Sequence, residues 1–207
     1  MAASDLESSL SASKWSTRRD AYAELAKAFE AAADDSDPVY SQFAPALVKA
    51  VADSNEMARK EGVNAAAAFF RTAGLAVARG YAADITAGIV STAFKSKRCV
   101  EPAKSALLDA LTAGPEVLEA VVEIVLTKGF THKTPKVVEA AVIAVKDAVL
   151  AFGRVTFAIG DILKAVAPLF SHAARPVRKE ALELAASRSS VSKSGRIPWL
   201  ARAISRR

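Results

Sequence analysis

Aromatic residues, cysteine and histidine are scarce in this 207-residue chain. Aromatic side chains make up 7% of the residues, and the chain has one cysteine, Cys99, and two histidines, His132 and His172. A single cysteine excludes an internal disulfide and fits a reducing compartment such as the cytosol. A structural zinc site needs four ligands, and these three residues are too few. We therefore expect no metal and no cofactor.

Long apolar runs are also missing. No stretch of 18 residues is free of charge, and the most apolar run, Val117–Leu126, carries Glu119 and Glu123. A membrane span is therefore not expected. The first ten residues include two acidic side chains and no basic segment, which does not fit a signal peptide.

The chain carries none of the short motifs that mark common active sites. It has no phosphate-binding glycine loop, no G-x-S-x-G turn and no H-E-x-x-H helix. Glu180 and Glu183 lie one helical turn apart, and we assign them to a solvated face rather than to an acid/base pair. The sequence thus indicates a binding protein and not an enzyme.

Alanine is abundant, at about a fifth of the chain, whereas only nine glycines and eight prolines interrupt it. Because alanine is the best helix former, this composition predicts an all-α protein. The formal net charge is +6, and residues 151–207 hold 11 Lys and Arg against 3 Asp and Glu. A basic surface favours an acidic partner.

Five short polar turns recur along the chain, each ahead of an amphipathic helix. We number them turn 1 (Ser13–Ser16), turn 2 (Asp53–Asn55), turn 3 (Lys95–Arg98), turn 4 (His132–Lys136) and turn 5 (Ala173–Pro176). Measured between Trp15, Asn55, Lys97, Lys136 and Arg175, the intervals are 40, 42, 39 and 39 residues. A period near 40 with two helices per period is typical of HEAT or armadillo repeats.

The repeats predict a single domain over residues 1–207, an α-solenoid of about five to six HEAT-like helical hairpins. Its repeats are expected at 5–35, 38–78, 81–113, 115–153 and 159–188, with a capping helix at 197–205. The first helix of the third pair is expected at Tyr81–Phe94.

Helical periodicity identifies the buried and the solvated faces of these helices. In the second helix of the fourth pair, Glu139, Lys146 and Asp147 are expected in solvent. The residues expected to line its buried face are Val137, Ala141, Val145, Ala148 and Phe152. Residues 34–37 offer N-cap oxygens ahead of Pro38, and Gly153 is expected as a C-cap.

In a two-helix repeat, the turns inside successive pairs line one edge of the solenoid. Turns 3, 4 and 5 are basic, which would favour docking to an acidic surface. Trp15 in turn 1 could anchor such an interface or pack into the core.

The chain resembles a TOG (tumour overexpressed gene) domain, most closely the first TOG domain of the microtubule polymerase family. The similarity runs from about Ser11 to Ile204. It is carried by Trp15 with Arg18, Tyr22 and Leu25; by Val51–Asn55 with Lys60-Glu61-Gly62; by His132–Val138 with Phe152-Gly153; and by Leu169-Phe170 with Val177–Ala181.

The resemblance implies binding of the αβ-tubulin heterodimer through the intra-repeat turns, in the cytoplasm and on the cytoskeleton. It implies one module of a longer chain that acts at growing microtubule ends and the spindle, monomeric in isolation. Turns 1 to 3 would face β-tubulin, through Trp15, Asn55, Met57, Lys97 and Arg98. Turns 4 and 5 would face α-tubulin, through Lys133, Lys136, Arg175, Arg178 and Lys179.

The residues leave two other binding classes open. A HEAT solenoid could bind nucleic acid or another acidic protein through its basic edge, with Trp15 stacking on a base. Stacking platforms normally offer several aromatic side chains, and the other turns have none. A peptide-binding scaffold would instead need asparagine and tryptophan along the second helices, which are rich in alanine here.

Overall fold

A computed structural model describes residues 3–153 and 156–187 of the chain. These residues form helices and no strand, which confirms the predicted all-α class. The predicted capping helix at 197–205 lies outside the described residues. The helices are α1 (Ala3–Leu10), α2 (Trp15–Glu30), α3 (Pro38–Ala50), α4 (Glu56–Thr72), α5 (Leu75–Ser91), α6 (Val100–Ala113), α7 (Pro115–Ile124), α8 (Pro135–Phe152), α9 (Ile159–Val166) and α10 (Arg175–Ala186).

The chain divides into two compact units, Met1–Val121 and Val122–Arg207. In the first unit α2 packs on α4, and α4 packs on α6. Helices α1, α3 and α5 pack against these three as a second layer. This is the arrangement of stacked two-helix repeats, in which each pair buries its apolar face against its neighbours.

Helices α2, α4 and α6 run parallel. Polar contacts join the carboxyl ends of neighbouring helices to one another, and others join their amino ends. Near their carboxyl ends, Arg71 of α4 donates to Glu30 of α2 and to Asp109 of α6, each at 2.8 Å. At their amino ends, the contacts of the turns described below join the same three helices. The turns that precede them therefore lie side by side.

The core of the first unit is an aromatic cluster surrounded by alanine. The rings of Phe29 and Tyr40 stack at 5.5 Å, and Phe69 packs edge-on or tilted against both. A Cβ atom on Gly62 of α4 would lie 2.4 Å from the carbonyl oxygen of Ala50. At this position α3 and α4 meet backbone to backbone, which only glycine allows.

Several predicted helix ends are confirmed. Asp37 caps α3, since its carboxylate accepts the backbone N–H of Val39 at 2.9 Å, and Pro38 is the first helical residue. Gly153 ends α8 with a φ of 81°. The predicted start of the third pair at Tyr81 is wrong, because α5 begins at Leu75.

That early start has a tertiary cause. The N-cap of α5 is Gly74, and its backbone N–H donates to the carbonyl oxygen of Asp35 at 2.7 Å. A contact between two loops far apart in sequence therefore places the helix start. The helical periodicity of a segment does not reveal hydrogen bonds to a distant part of the chain.

In the second unit α8 packs on α10, and the predicted buried face of α8 is confirmed. The predicted solvent exposure of Glu183 is confirmed, whereas that of Lys146 and Glu180 is wrong. The Lys146 ammonium group bridges both carboxylates of α10, at 2.7 Å for Glu183, and the side chains of Lys146 and Glu180 are only 16% and 12% exposed. The two helices close over this ion pair.

Candidate functional site

Turn 1 exposes a large aromatic side chain at a helix start. Trp15 is the first residue of α2 and is 42% exposed. The guanidinium of Arg19, one helical turn further on, lies 5.7 Å from the centroid of the indole ring. This cation–π contact covers one side of the indole ring, while the rest of the ring remains open to a partner.

Turn 2 ends in Asn55, the N-cap residue of α4. The side-chain oxygen of Asn55 accepts the backbone N–H groups of Met57 and Ala58 at 2.9 and 3.2 Å, so it satisfies two of the donors that a helix start leaves free. Met57 projects from this first helical turn with 36% of its surface exposed. Turn 2 is thus rigid at Asn55 and apolar beside it.

An ion pair joins turn 1 to turn 2. Arg18 of α2 donates through Nε and Nη2 to the two carboxylate oxygens of Asp53, at 2.6 and 2.8 Å. The hydroxyl of Tyr22 and the backbone N–H of Asn55 donate to the same carboxylate, at 3.1 and 2.8 Å. Asp53 is only 6% exposed, so the charge is buried with every oxygen paired.

The pKa values follow from these contacts. Burial alone would raise the pKa of Asp53, but the hydrogen bonds from Arg18 and the Asn55 N–H outweigh it and hold the pKa below its ordinary value. Burial and the adjacent carboxylate raise the pKa of Tyr22 to about 12. Asp53 is therefore ionised and Tyr22 neutral at physiological pH.

Turn 2 is joined to turn 3 in the same way. Glu56, the first residue of α4, accepts a hydrogen bond from the hydroxyl of Ser96 and an ion pair from Arg98 at 3.3 Å. A second guanidinium nitrogen of Arg98 lies 3.7 Å from the sulfur of Met57. Turns 1, 2 and 3 form one continuous edge, which we call the first turn edge.

Three arginines brace turns in a similar way, a pattern that the sequence analysis missed. The Nη1 of Arg59 donates to the carbonyl oxygen six residues earlier, that of Asp53, at 2.6 Å. Arg18 and Arg178 do the same six and five residues back, at 2.7 to 2.9 Å. Each arginine is the fourth residue after an N-cap, a spacing that was visible in the sequence.

Turns 4 and 5 belong to the second unit, and in each a histidine side chain accepts a backbone hydrogen bond. The Nδ1 atoms of His132 and His172 accept the backbone N–H of the residue two positions on, each at 3.0 Å. Those two residues, Thr134 and Ala174, are the N-caps of α8 and α10. The imidazoles therefore act as turn acceptors, as Asp53 does in turn 2.

All ten residues proposed from the sequence lie in a turn or within the first five residues of the helix after it. Asn55 and Arg178 are half-buried and use their side chains to hold their own turns. Lys179 forms an exposed ion pair with Glu183 at 3.5 Å. The exposed members are Trp15, Met57, Lys97, Arg98, Lys133, Lys136, Arg175 and Lys179.

This set of side chains can bind an acidic surface, since it offers cations around one apolar anchor in the first unit and cations in the second. In the part of the chain that the structure describes, no group of three or more His, Cys, Asp or Glu residues could hold a metal ion. None of the described helices combines the length and hydrophobicity of a membrane span.

Comparison of the sequence with known proteins gives a family match and several relatives. Residues 2–197 match the family model described as XMAP215/Dis1/CLASP, TOG domain. The chain is 35% identical over 171 residues to Protein mini spindles of Drosophila melanogaster, covering 83% of this chain and 8% of that protein. It is 31% identical over 165 residues to Protein MOR1 of Oryza sativa subsp. japonica, covering 79% and 8%. The chain thus spans about 8% of the length of these relatives.

Solved structures share the fold. One is a chain from work on tubulin recruitment and assembly by microtubule polymerases with TOG domain arrays, with a TM-score of 0.75, 19% identity, and coverage of 97% of this chain and 45% of that one. Another is Drosophila melanogaster Mini spindles TOG3, with a TM-score of 0.70, 17% identity, and coverage of 89% and 80%. The predicted HEAT-like helical repeat fold is confirmed.

Proposed function

The chain belongs to the XMAP215/Dis1/CLASP family of TOG domains, and on that basis we propose that it binds the αβ-tubulin heterodimer through its intra-repeat turns. The observation that carries the proposal is the exposed Trp15 on the first turn edge. A tryptophan is costly to leave in water, and a half-exposed one among cations is typical of an interface anchor.

Each turn has a proposed place in the complex. Turn 1 packs Trp15 on β-tubulin, and turns 2 and 3 add Asn55, Met57, Lys97 and Arg98 to the same subunit. Turns 4 and 5 bind α-tubulin. Their proposed contacts are Lys133, Lys136, Arg175, Arg178 and Lys179.

The two kinds of contact contribute differently. The exposed lysines and arginines speed the encounter with an acidic surface, and the effect weakens with salt. Trp15 and Met57 are buried on binding and slow dissociation. Arg178 acts mainly through turn 5, because its Nη1 is already bonded to two backbone carbonyls.

The relatives support a cellular role for the chain. We propose a cytoplasmic, microtubule-associated protein that acts at growing microtubule ends and the spindle, and a chain that is monomeric in isolation and does no catalysis of its own. A chain that spans about 8% of its relatives supplies one tubulin-binding module. Microtubule polymerisation would need further modules beside it.

Gel filtration with soluble αβ-tubulin tests the proposal. The wild-type chain should elute with tubulin, whereas the double variant Lys136→Ala/Arg175→Ala should elute separately with unchanged helicity by circular dichroism. Tubulin that never co-elutes with the wild-type chain would refute the proposal. Strong, salt-sensitive binding of an oligonucleotide instead would favour the nucleic-acid alternative.

A further inference from the structure

A groove opens on the first turn edge beside the Arg18–Asp53 pair. It lies between residues 10–12, just before turn 1, and turn 2, and has a volume of about 330 Å³. Its lining includes Arg18, Asp53, Lys49, Ser11 and Ser54. The groove is large enough for a single side chain of a partner.

The floor of this groove has little hydrogen-bonding capacity left. Both oxygens of Asp53 accept two hydrogen bonds each, from Arg18, Tyr22 and the backbone of Asn55. The Nη1 atom of Arg18 donates to the backbone carbonyl oxygens of Ala12, just before turn 1, and Ser13, the first residue of turn 1. A guest in the groove therefore meets an ion pair with no net charge, in which one of the five guanidinium N–H groups of Arg18 has no partner among the described residues.

The wall of the groove is different, because it carries unused donors. Lys49, in the last turn of α3, is exposed, and within the described residues it forms no ion pair or hydrogen bond. The hydroxyls of Ser11 and Ser54 likewise have no hydrogen-bond partner among the described residues. One cation and two hydroxyl donors suit a carboxylate, since the charge of Asp53 in the floor is already paired with Arg18.

We infer that this groove is a carboxylate subsite of the tubulin interface, in which an aspartate or glutamate side chain of the partner pairs with Lys49. The inference rests on the proposed function and extends it, since Lys49 belongs to none of the five turns. Ser11 and Ser54, which line the groove with Lys49, donate to the free oxygen of that carboxylate.

Binding measurements on two lysines test the subsite. Lys49→Gln should raise the Kd for tubulin about five- to tenfold, an effect expected for an interfacial charge pair. The Kd of Lys49→Arg should stay within about twofold of the wild-type value. Lys27→Gln is the matched control, since Lys27 is exposed in the last turn of α2, at the end away from turn 1. It should bind as the wild type does.

Carbodiimide cross-linking supplies a readout that a merely structural role would not change. The reagent joins an amine to a carboxylate in contact with it, so mass spectrometry should find Lys49 bonded to an aspartate or glutamate of tubulin. Wild-type affinity of Lys49→Gln with no Lys49 cross-link would overturn the inference, while loss of binding in Trp15→Glu would leave the proposed function intact. Failure of the wild-type chain to bind tubulin would refute both.

Discussion

Arg18 and Asp53 form a bidentate ion pair that links turn 1 to turn 2, with Nε–Oδ2 and Nη2–Oδ1 distances of 2.6 and 2.8 Å. The same guanidinium also holds two backbone carbonyl oxygens at turn 1. One side chain therefore sets the shape of turn 1 and its distance from turn 2. The spacing of Trp15 and Asn55 on the first turn edge depends on it.

Replacing Asp53 with Asn should destabilise the fold in a pH-dependent way. Breaking a buried ion pair by neutralising one partner costs about 3–5 kcal/mol. Because the pKa of Asp53 is lower in the folded chain than in the unfolded one, its contribution is present above about pH 4 and is lost as the pH falls through the folded pKa. Thermal unfolding followed by circular dichroism between pH 7 and pH 2.5 should show the wild type and the variant converging in acid. A gap that stays constant across this range would contradict the account.

The bracing role of Arg178 predicts a stability loss that its neighbour does not share. In Arg178→Ala two carbonyl oxygens at turn 5 lose their donor, which should cost about 1–3 kcal/mol. Lys179→Ala removes the same charge from an exposed position, and should change stability by less than about 0.5 kcal/mol. Urea unfolding measures both values, and equal effects of the two substitutions would show that Arg178 acts only as a surface charge.

Two glycines on neighbouring helices should respond to alanine in opposite directions. In Gly62→Ala the new Cβ atom would lie 2.4 Å from the carbonyl oxygen of Ala50, so α3 and α4 must separate and the chain should lose about 1–3 kcal/mol. In Gly80→Ala the new methyl group meets nothing within 4 Å, and the helix should gain about 0.5–1 kcal/mol. Melting temperatures of the two variants should fall on either side of the wild-type value. The packing of α3 on α4 would be in doubt if Gly62→Ala melted higher.

Local signals in the sequence predicted a large part of the fold. Helical periodicity gave the buried face of α8, and the Asp37-Pro38 pair gave the start of α3, because both depend only on neighbours along the chain. The start of α5 was missed because a hydrogen bond from Gly74 to Asp35 places it. The burial of Glu180 was missed because its partner, Lys146, lies on another helix.

The candidate site was predictable to a similar depth. The forty-residue period located all five turns, and with them the exposed cations. It could not show that Trp15 is exposed, since a tryptophan at a helix start fits the core and the surface equally well. The arginine braces were visible only as a repeated spacing, and their meaning depends on backbone atoms that the sequence does not place.

The central claim is that the turns bind tubulin, and the most direct test compares Trp15 with a second exposed apolar residue. Leu150 is 49% exposed in the last turn of α8, away from turn 4, so Leu150→Glu makes a comparable change in polarity outside the proposed interface. Affinity for soluble αβ-tubulin, measured by sedimentation velocity with the helicity of each variant checked, should fall at least about a hundredfold in Trp15→Glu, as for an interface hot spot. It should stay at the wild-type value in Leu150→Glu. Equal affinity of Trp15→Glu and the wild type would contradict the account.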